Sequence, residues 1–381
     1  MKCASAIAFS LSLLLVGIAP ADSLNVRRIG GCDTPGAAFD VALGGDYAYV
    51  ADGSGLLVIS IADPAHPIEV GRCDEPGVAG DVAVVGNLAY VADGQSGLRI
   101  VSVADPAHPT EVGYCDTLYW ADHLAVSGSY AYVAGDSSGL VVISVADTAH
   151  PVEVGRLDMN YAIDIDVAGD YAFVADYDSG LRVVSVVDPA HPTQVGYCSL
   201  PGGAVGVTVD GGYAYVVDPS NLRVISVSDP AHPTQVGDLY IGPAAFGTAV
   251  IGTYVYVAEL DGLIVISVDD PAHPAEVGYY RDSSAVYGVA VTEEYSYAAC
   301  SFGGFQVYQF YAVGVEESHR RPPTNRKLAA MVIRNLPRGA VAFDAMGMRV
   351  LNPRSGVFFV CPEPSADSRR PLAVTKVVIQ R

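Results

Sequence analysis

The residues that could do chemistry in this chain recur at fixed spacing. Six histidines, His66, His108, His150, His191, His232 and His273, each sit in an Asp-x-Ala-His-Pro segment. Six imidazoles in register could supply a ring of metal ligands. The flanking prolines point instead to a turn, repeated because every structural unit needs the same corner. Carboxylates recur as well. Asp40, Asp81, Asp122 and Asp164 head short apolar runs, where three other units carry Gly206, Gly247 and Gly288. Carboxylates gathered there could hold a hard cation such as Ca2+, or satisfy backbone N–H groups where a strand begins. A second set, Asp52, Asp93, Asp176, Asp218 and Glu259, closes the following run. These are expected to cap the next turn.

One place breaks the periodicity. The only tryptophan, Trp120, stands beside Tyr119, Asp122 and His123, and His123 is the one histidine of the repeat region outside the turn motif. Aromatic rings beside a carboxylate suit a sugar, a peptide or a cationic ligand. The segments equivalent to this one vary freely between units, as loops that carry function do. They contribute Tyr161, Asp164, Phe246 and Tyr287, and the expected ligand face comprises these four with Tyr119, Trp120, Asp122 and His123. No H-E-x-x-H, P-loop or C-x-x-C is present, and no catalytic residue, metal ligand or cofactor site is assigned. Binding of an extracellular glycan or protein is therefore expected ahead of catalysis. A hydrolase or lyase acting on extracellular polysaccharide, around Asp122, His123 and Asp164, is the alternative. A Ca2+-stabilised structural surface protein is another.

The elements that position these residues are strands. The turn motif begins at Asp63, Asp105, Asp147, Asp188, Asp229 and Asp270, in steps of 41 or 42 residues. A period near 40 with several short strands per unit marks a β-propeller. Each unit reads as four strands, exemplified by 81–85, 88–93, 97–103 and 110–115, rich in the Val, Ile and Tyr that suit a pleated surface. No segment keeps a helical period. Six turn motifs suggest six blades, yet the second strand occurs seven times. The seventh unit lacks a fourth strand, and the segment 25–32 supplies an orphan copy of it. The expectation is an all-β, seven-bladed ring closed by the N-terminal strand, which pairs the edge that an open array would leave. The turn between second and third strands carries Gly55, Gly97, Gly139, Gly180, Gly262 and Gly304, with Asn221 in the fifth unit. That pattern predicts a left-handed turn position.

The third strands, such as Leu56-Leu57-Val58-Ile59-Ser60-Ile61-Ala62-Asp63, resemble the LVIVD repeats of bacterial surface propellers. The resemblance covers roughly residues 24 to 312. It implies the fold and no general activity. Beyond it, residues 313–327 read as a polar linker. Residues 328–381 hold strand-like runs at 329–333, 340–343, 356–360 and 374–379. Asp344, Gly347, Arg349 and Val350, then Ser355 to Phe359, then Lys376 to Ile379 resemble the C-terminal sorting domain of type IX-secreted proteins. Met348 interrupts that family's usual Gly-Arg pair. The resemblance implies a small β-sandwich recognised by secretion machinery.

Composition agrees with an exported, folded chain. Of 381 residues, 51% are hydrophobic and only 17% charged, which excludes a disordered polymer. Lys2, the apolar run 6–18 and Ala19-Pro20-Ala21 read as a signal peptide over residues 1–21, too short to span a membrane. A secreted or outer-surface location and a monomeric state are expected, with no transmembrane span in the mature chain. From Ser23 to Ala312 there are 36 acidic and 8 basic residues, a net −28, whereas Val313 to Arg381 has 5 and 12, a net +7. The sign change separates residues 22–312 from the tail, and the acidic body argues against nucleic acid as a partner. Cys32, Cys73, Cys115 and Cys198 occupy one repeat position, so they are expected to be small apolar fillers and not disulfides. Cys300 and Cys361 have no evident partner.

Overall fold

The computed structural model describes residues 22–116, 120–135, 137–281 and 284–311, and the backbone of four strands between 340 and 379. The described residues contain no helix. They fall into two compact units, divided between Val315 and Glu316.

The larger unit is a ring of seven antiparallel sheets, six of four strands and one of five. Alternation sets the layers. In blade one the second strand, Tyr47–Ala51, is buried from Ala48 onward, and the third, Gly55–Ser60, is buried up to Ile59. The first strand, Asp40–Gly44, and the fourth, Ile68–Asp74, are partly open to solvent. The same pattern repeats around the ring. Apolar side chains from facing sheets interlock as seven clusters, one for each pair of neighbours. Between blades two and three these include Leu98, Ile100, Val133 and Ile143. Between blades seven and one they include Val50, Ile59, Tyr297 and Phe305, and this cluster shuts the ring. Burying each such side chain stabilises the ring by about 1.5–3 kcal/mol.

Blade seven is assembled from both ends of the repeat region. Its inner strands are Gly288–Val291, Ser296–Ala299 and Phe305–Phe310, and its outer strand is Val26–Cys32. Val26 lies opposite Phe310 and Cys32 opposite Phe305. The predicted closure is therefore present, with an addition that the sequence pattern did not reveal. Asp22–Leu24 pairs with Ala275–Arg281 as a fifth strand of blade six. Asn25, at φ 54°, turns the chain from one blade to the next and donates its side-chain amide to the Val277 carbonyl at 2.8 Å.

The turn motif has a visible mechanical task. In each fourth strand one residue is bulged out of register, Val70 in blade one, and a glycine follows it. A Cβ on Gly71 would lie 2.2 Å from the Pro106 carbonyl oxygen of the next blade's turn. Gly30, Gly113, Gly155, Gly196 and Gly237 meet the turns beginning at Asp63, Asp147, Asp188, Asp229 and Asp270 in the same way. Blade seven has no such turn, and Gly278 of blade six meets Leu24 and Phe310 instead. Six motifs thus serve seven blades because the N-terminal segment takes the place of the missing one. Within each motif the Asp accepts from the backbone and from histidine. Asp63 takes the Ala65 N–H at 3.1 Å, and its second oxygen lies 3.0 Å from His66 Nδ1. The six imidazoles are at least 80% exposed and each is tied to its own turn. The turn reading accounts for them.

Two expectations need correction. Asn221 has an ordinary negative φ, unlike the six glycines at its position. Its backbone and side-chain N–H groups both bind Asp218, which holds the turn without a left-handed residue. Asp122 is also one residue out of register, as described below. None of Cys32, Cys73, Cys115, Cys198 and Cys300 forms a disulfide. In the smaller unit, Ala340–Phe343, Arg349–Val350, Gly356–Pro362 and Thr375–Ile379 make one antiparallel sheet. The signal-peptide segment, the linker and the run 329–333 lie outside the described residues.

Candidate functional site

The site is built from the residues at the start of the seven innermost strands. Phe39, Gly80, Asp122, Val205 and Tyr287 stand one step before the innermost strands of five blades, and Ile163 and Phe246 stand at the register shifts that open the innermost strands of the other two. In five blades this residue's N–H donates to the carbonyl that ends the second strand, as Phe39 does to Ala51 at 2.8 Å and Tyr287 to Ala299 at 2.9 Å. The strand is thereby extended to the rim of the channel. With Val78, Trp120, Ala121 and His123 these residues line a cavity of about 410 Å³ at the channel mouth, on the side of the variable loops.

Aromatic rings form one wall. Phe246 and Tyr287 have centroids 4.5 Å apart, and Phe39 and Tyr287 5.7 Å apart. Trp120, 36% exposed, faces the cavity from blade three. Its neighbour Ala121 bridges to Gly94 of blade two, with N–H to O=C at 2.9 Å. A Cβ on Gly94 would sit 3.5 Å from the indole, so the glycine leaves the ring room to lie against the backbone. The second carboxylate set holds these loops in place. Asp52 accepts from Ser54 N–H at 3.1 Å and from Gly36 N–H at 3.0 Å, which pins the loop carrying Phe39. Asp93 accepts from Gly77 N–H at 2.8 Å and pins the loop carrying Val78 and Gly80. Asp218 accepts from Ser220 N–H at 2.8 Å, the predicted turn cap.

Beneath the mouth lies the channel, of about 360 Å³, which shares Phe39, His123 and Tyr287 with the cavity above. Its first layer holds Asp40, Asp81, His123 and Asp164 in blades one to four. Pairing decides this register: Asp81 lies opposite Ala92 and His123 opposite Ala134. His123 therefore occupies the slot expected for Asp122, which moves up to the mouth. The three aspartates bind backbone. Asp40 accepts from Val82 N–H at 3.3 Å, Asp81 from Leu124 N–H at 2.6 Å and Asp164 from Val207 N–H at 2.7 Å, each across to the next blade. Asp166, one layer deeper, takes Val209 N–H at 2.7 Å. His123 Nδ1 lies 3.7 Å from Asp81 and 3.5 Å from Asp164.

Crowding of buried carboxyl groups in the channel disfavours charge. Burial pushes the Asp81 carboxyl up to about 6. Burial and then the neighbouring Asp81 charge raise Asp40 well above the carboxylate range, and the two side chains share a hydrogen bond. Burial also raises Asp164 and Asp166. Gly206, Gly247 and Gly288 complete the layer. A Cβ on Gly288 would meet Asp40 Oδ1 at 2.3 Å, so the glycine is where the carboxylate folds in. Among the described residues no group of three or more His, Cys, Asp or Glu side chains converges as metal ligands do.

The repeats can now be compared with known proteins. The model of the LVIVD repeat matches residues 35–75, 76–117, 120–159, 160–199, 201–239 and 244–282, well over half of the chain. The chain belongs to the LVIVD repeat family. The six LVIVD matches cover blades one to six, and the composite seventh blade falls outside them. No curated protein matches the chain. Among solved structures, the computationally designed Ika8 protein is similar, with a TM-score of 0.57 at 8% identity over 74% of this chain and 100% of that one. BamB from Moraxella catarrhalis is similar too, with a TM-score of 0.56 at 13% identity over 78% of this chain and 99% of that one. At such identities the likeness is of fold.

Of the expected ligand face, this LVIVD propeller brings Trp120, Asp122, His123, Phe246 and Tyr287 together at the mouth. Asp164 lies below them in the channel. Tyr161 is 47% exposed and packs on Tyr177, with centroids 6.3 Å apart, away from the cavity lining. Tyr119 lies outside the described residues. Sequence reasoning missed Phe39, Val78, Ile163 and Val205. For Phe39, Ile163 and Val205 the signal was available, because aligning the start of the first strand across the seven blades brings these positions together.

Proposed function

We propose that this LVIVD propeller is a secreted or surface-exposed interaction module whose ligand docks at the mouth of the central channel. The observation that carries the reading is the composite rim. Seven blades with a uniform scaffold present six different residue types at the rim, and three of the seven residues are aromatic. Scaffold needs do not vary between blades, so this variation marks recognition. Extracellular glycans and proteins are the candidate ligands. The test is an array of extracellular glycans and peptides probed with wild type, Trp120→Ala and Phe246→Ala. The reading expects binding to drop at least about tenfold in both variants, since buried aromatic anchors dominate interfaces. Binding undiminished in both would place the ligand elsewhere.

A catalytic use has one observation behind it, the approach of His123 to both Asp81 and Asp164 at the cavity floor. A polysaccharide turnover screen decides it: turnover abolished in His123→Ala supports a hydrolase or lyase, and turnover that persists excludes that pair. For residues 328–381 the proposed role is sorting and anchoring through the secretion machinery, supported by the motif residues from Asp344 to Ile379. A chain truncated after Lys327 should then fail to reach the cell surface in a host with that machinery. Equal surface delivery would end this part of the proposal.

A further inference from the structure

The mouth and the channel are one continuous site, with Phe39, His123 and Tyr287 belonging to both. Its chemistry is lopsided. Asp122 lies at the rim, and Asp40, Asp81, Asp164 and Asp166 line the channel below. Among the described residues no lysine or arginine lines either part. The surrounding propeller offers no surplus of cations, since residues 23–312 carry 36 acidic against 8 basic side chains. A channel whose ionisable lining is carboxylate apart from His123 focuses a negative field at its opening as those carboxylates ionise. Above that field the rings of Phe39, Phe246, Tyr287 and Trp120 present π faces and edges. A neutral sugar would find few partners there, because among the described lining residues of the mouth only Trp120, Asp122, His123 and Tyr287 carry polar side-chain atoms.

Resting on the docking site proposed above, we infer that its occupant is a cationic side chain, arginine or lysine, presented by a protein segment. The aliphatic stem packs among the aromatic rings and the charged head points down the axis toward Asp122 and the channel carboxylates. Cation–π attraction and carboxylate charge then act on the same group. His123 is the one basic group that the described lining supplies, beside Asp81 and Asp164, and the ligand brings a permanent cation. Protonation competes with that cation. The titratable groups facing the head are Asp122, Asp40, Asp81, His123, Asp164 and Asp166. Those channel aspartates whose protonation burial already favours gain protons as pH falls. Affinity therefore weakens on acidification.

Trp120 is the only tryptophan, so its emission reports on the cavity alone. The experiment titrates the full chain, at low salt and pH 7.5, with blocked tripeptides Ac-Gly-Arg-Gly-NH2, Ac-Gly-Lys-Gly-NH2 and the neutral isostere Ac-Gly-citrulline-Gly-NH2. The expected result is a saturable emission change with the Arg and Lys peptides, at least about tenfold weaker with citrulline. Asp122→Asn should weaken the cationic peptides several-fold and leave citrulline unaffected. The preference should shrink at pH 5 and in high salt. Equal affinities for arginine and citrulline would overturn the inference. If both peptides also lost binding in Phe246→Ala, the docking site would stand while its cation preference fell. No saturable response to either cationic peptide up to tens of millimolar overturns the inference directly. A folded Phe246→Ala variant, checked by its circular dichroism, separates loss of the site from loss of the propeller.

Discussion

Glu75, in the loop between blades one and two, shows what burial does to a single carboxylate. Both its oxygens are buried without a hydrogen-bond partner. Burial, followed by the charges of Asp93 and Glu111, pushes it up to about 8. Burial likewise pushes Glu259 up to about 7 and Asp81 to about 6. Each holds a proton in the folded state that the unfolded chain releases near pH 4. The folded state therefore binds more protons between about pH 4 and 8, and its stability falls as pH rises through that window. The turn aspartates, such as Asp63, are shifted the other way by hydrogen bonds from histidine and backbone, so their effect lies below the window. The melting temperature should be higher at pH 5 than at pH 8. Glu75→Gln should gain about 1–2 kcal/mol at pH 8 and close to nothing at pH 5. A melting temperature that climbs between pH 5 and 8 would contradict the assignment.

At the scale of elements, the contact between a fourth strand and the next blade's turn is the joint that repeats. Gly71 lacks a side chain because the Pro106 carbonyl occupies the space where one would be. Gly71→Ala should destabilise by about 2–4 kcal/mol, since two pieces of backbone must separate. Gly86→Ala is the control. A methyl placed on Gly86 would have nothing within 4 Å, and the residue has a φ of +62°, so only left-handed strain opposes the change, about 1 kcal/mol. Urea unfolding of the two variants compares them, and equal losses would refute the joint. The repeated features were legible in sequence because each is dictated locally: strand alternation, the Asp-His turn, the glycine slots. Blade number was legible because strands could be counted. The rim was half legible. Trp120, Phe246 and Tyr287 announced themselves as aromatics in variable loops, whereas Ile163 and Val205 look like core residues until register shows where they stand. Asp122 and His123 were exchanged for the same reason. One residue of loop length decides which of them enters the channel, and composition does not record it.

For the whole molecule, closure rests on residues 22–32. Removing them strips blade seven of its outer strand and leaves Phe305–Phe310 as a bare edge beside the buried Phe305, Val307 and Tyr308. Unpaired apolar edges recruit other chains. A chain starting at Asp33 should elute as aggregates in gel filtration, and a synthetic peptide of residues 22–32 added during refolding should restore the monomer. A monomeric truncated chain with an unchanged melting temperature would show the clasp to be dispensable. The same feature sets a schedule for assembly. Arg27 bonds Gln309, a partner 282 positions later. Blades one to six pair with sequence neighbours and can form as they become available, but the last ladder waits until nearly the whole repeat region has appeared. Such a distant contact pays its loop-closure entropy late, which slows the final step. In the interval the molecule is an open horseshoe with two sticky ends. Refolding should therefore show a fast phase that builds most of the strand signal and a slow one that seals the ring, and any helper that shields strand edges would act on the second.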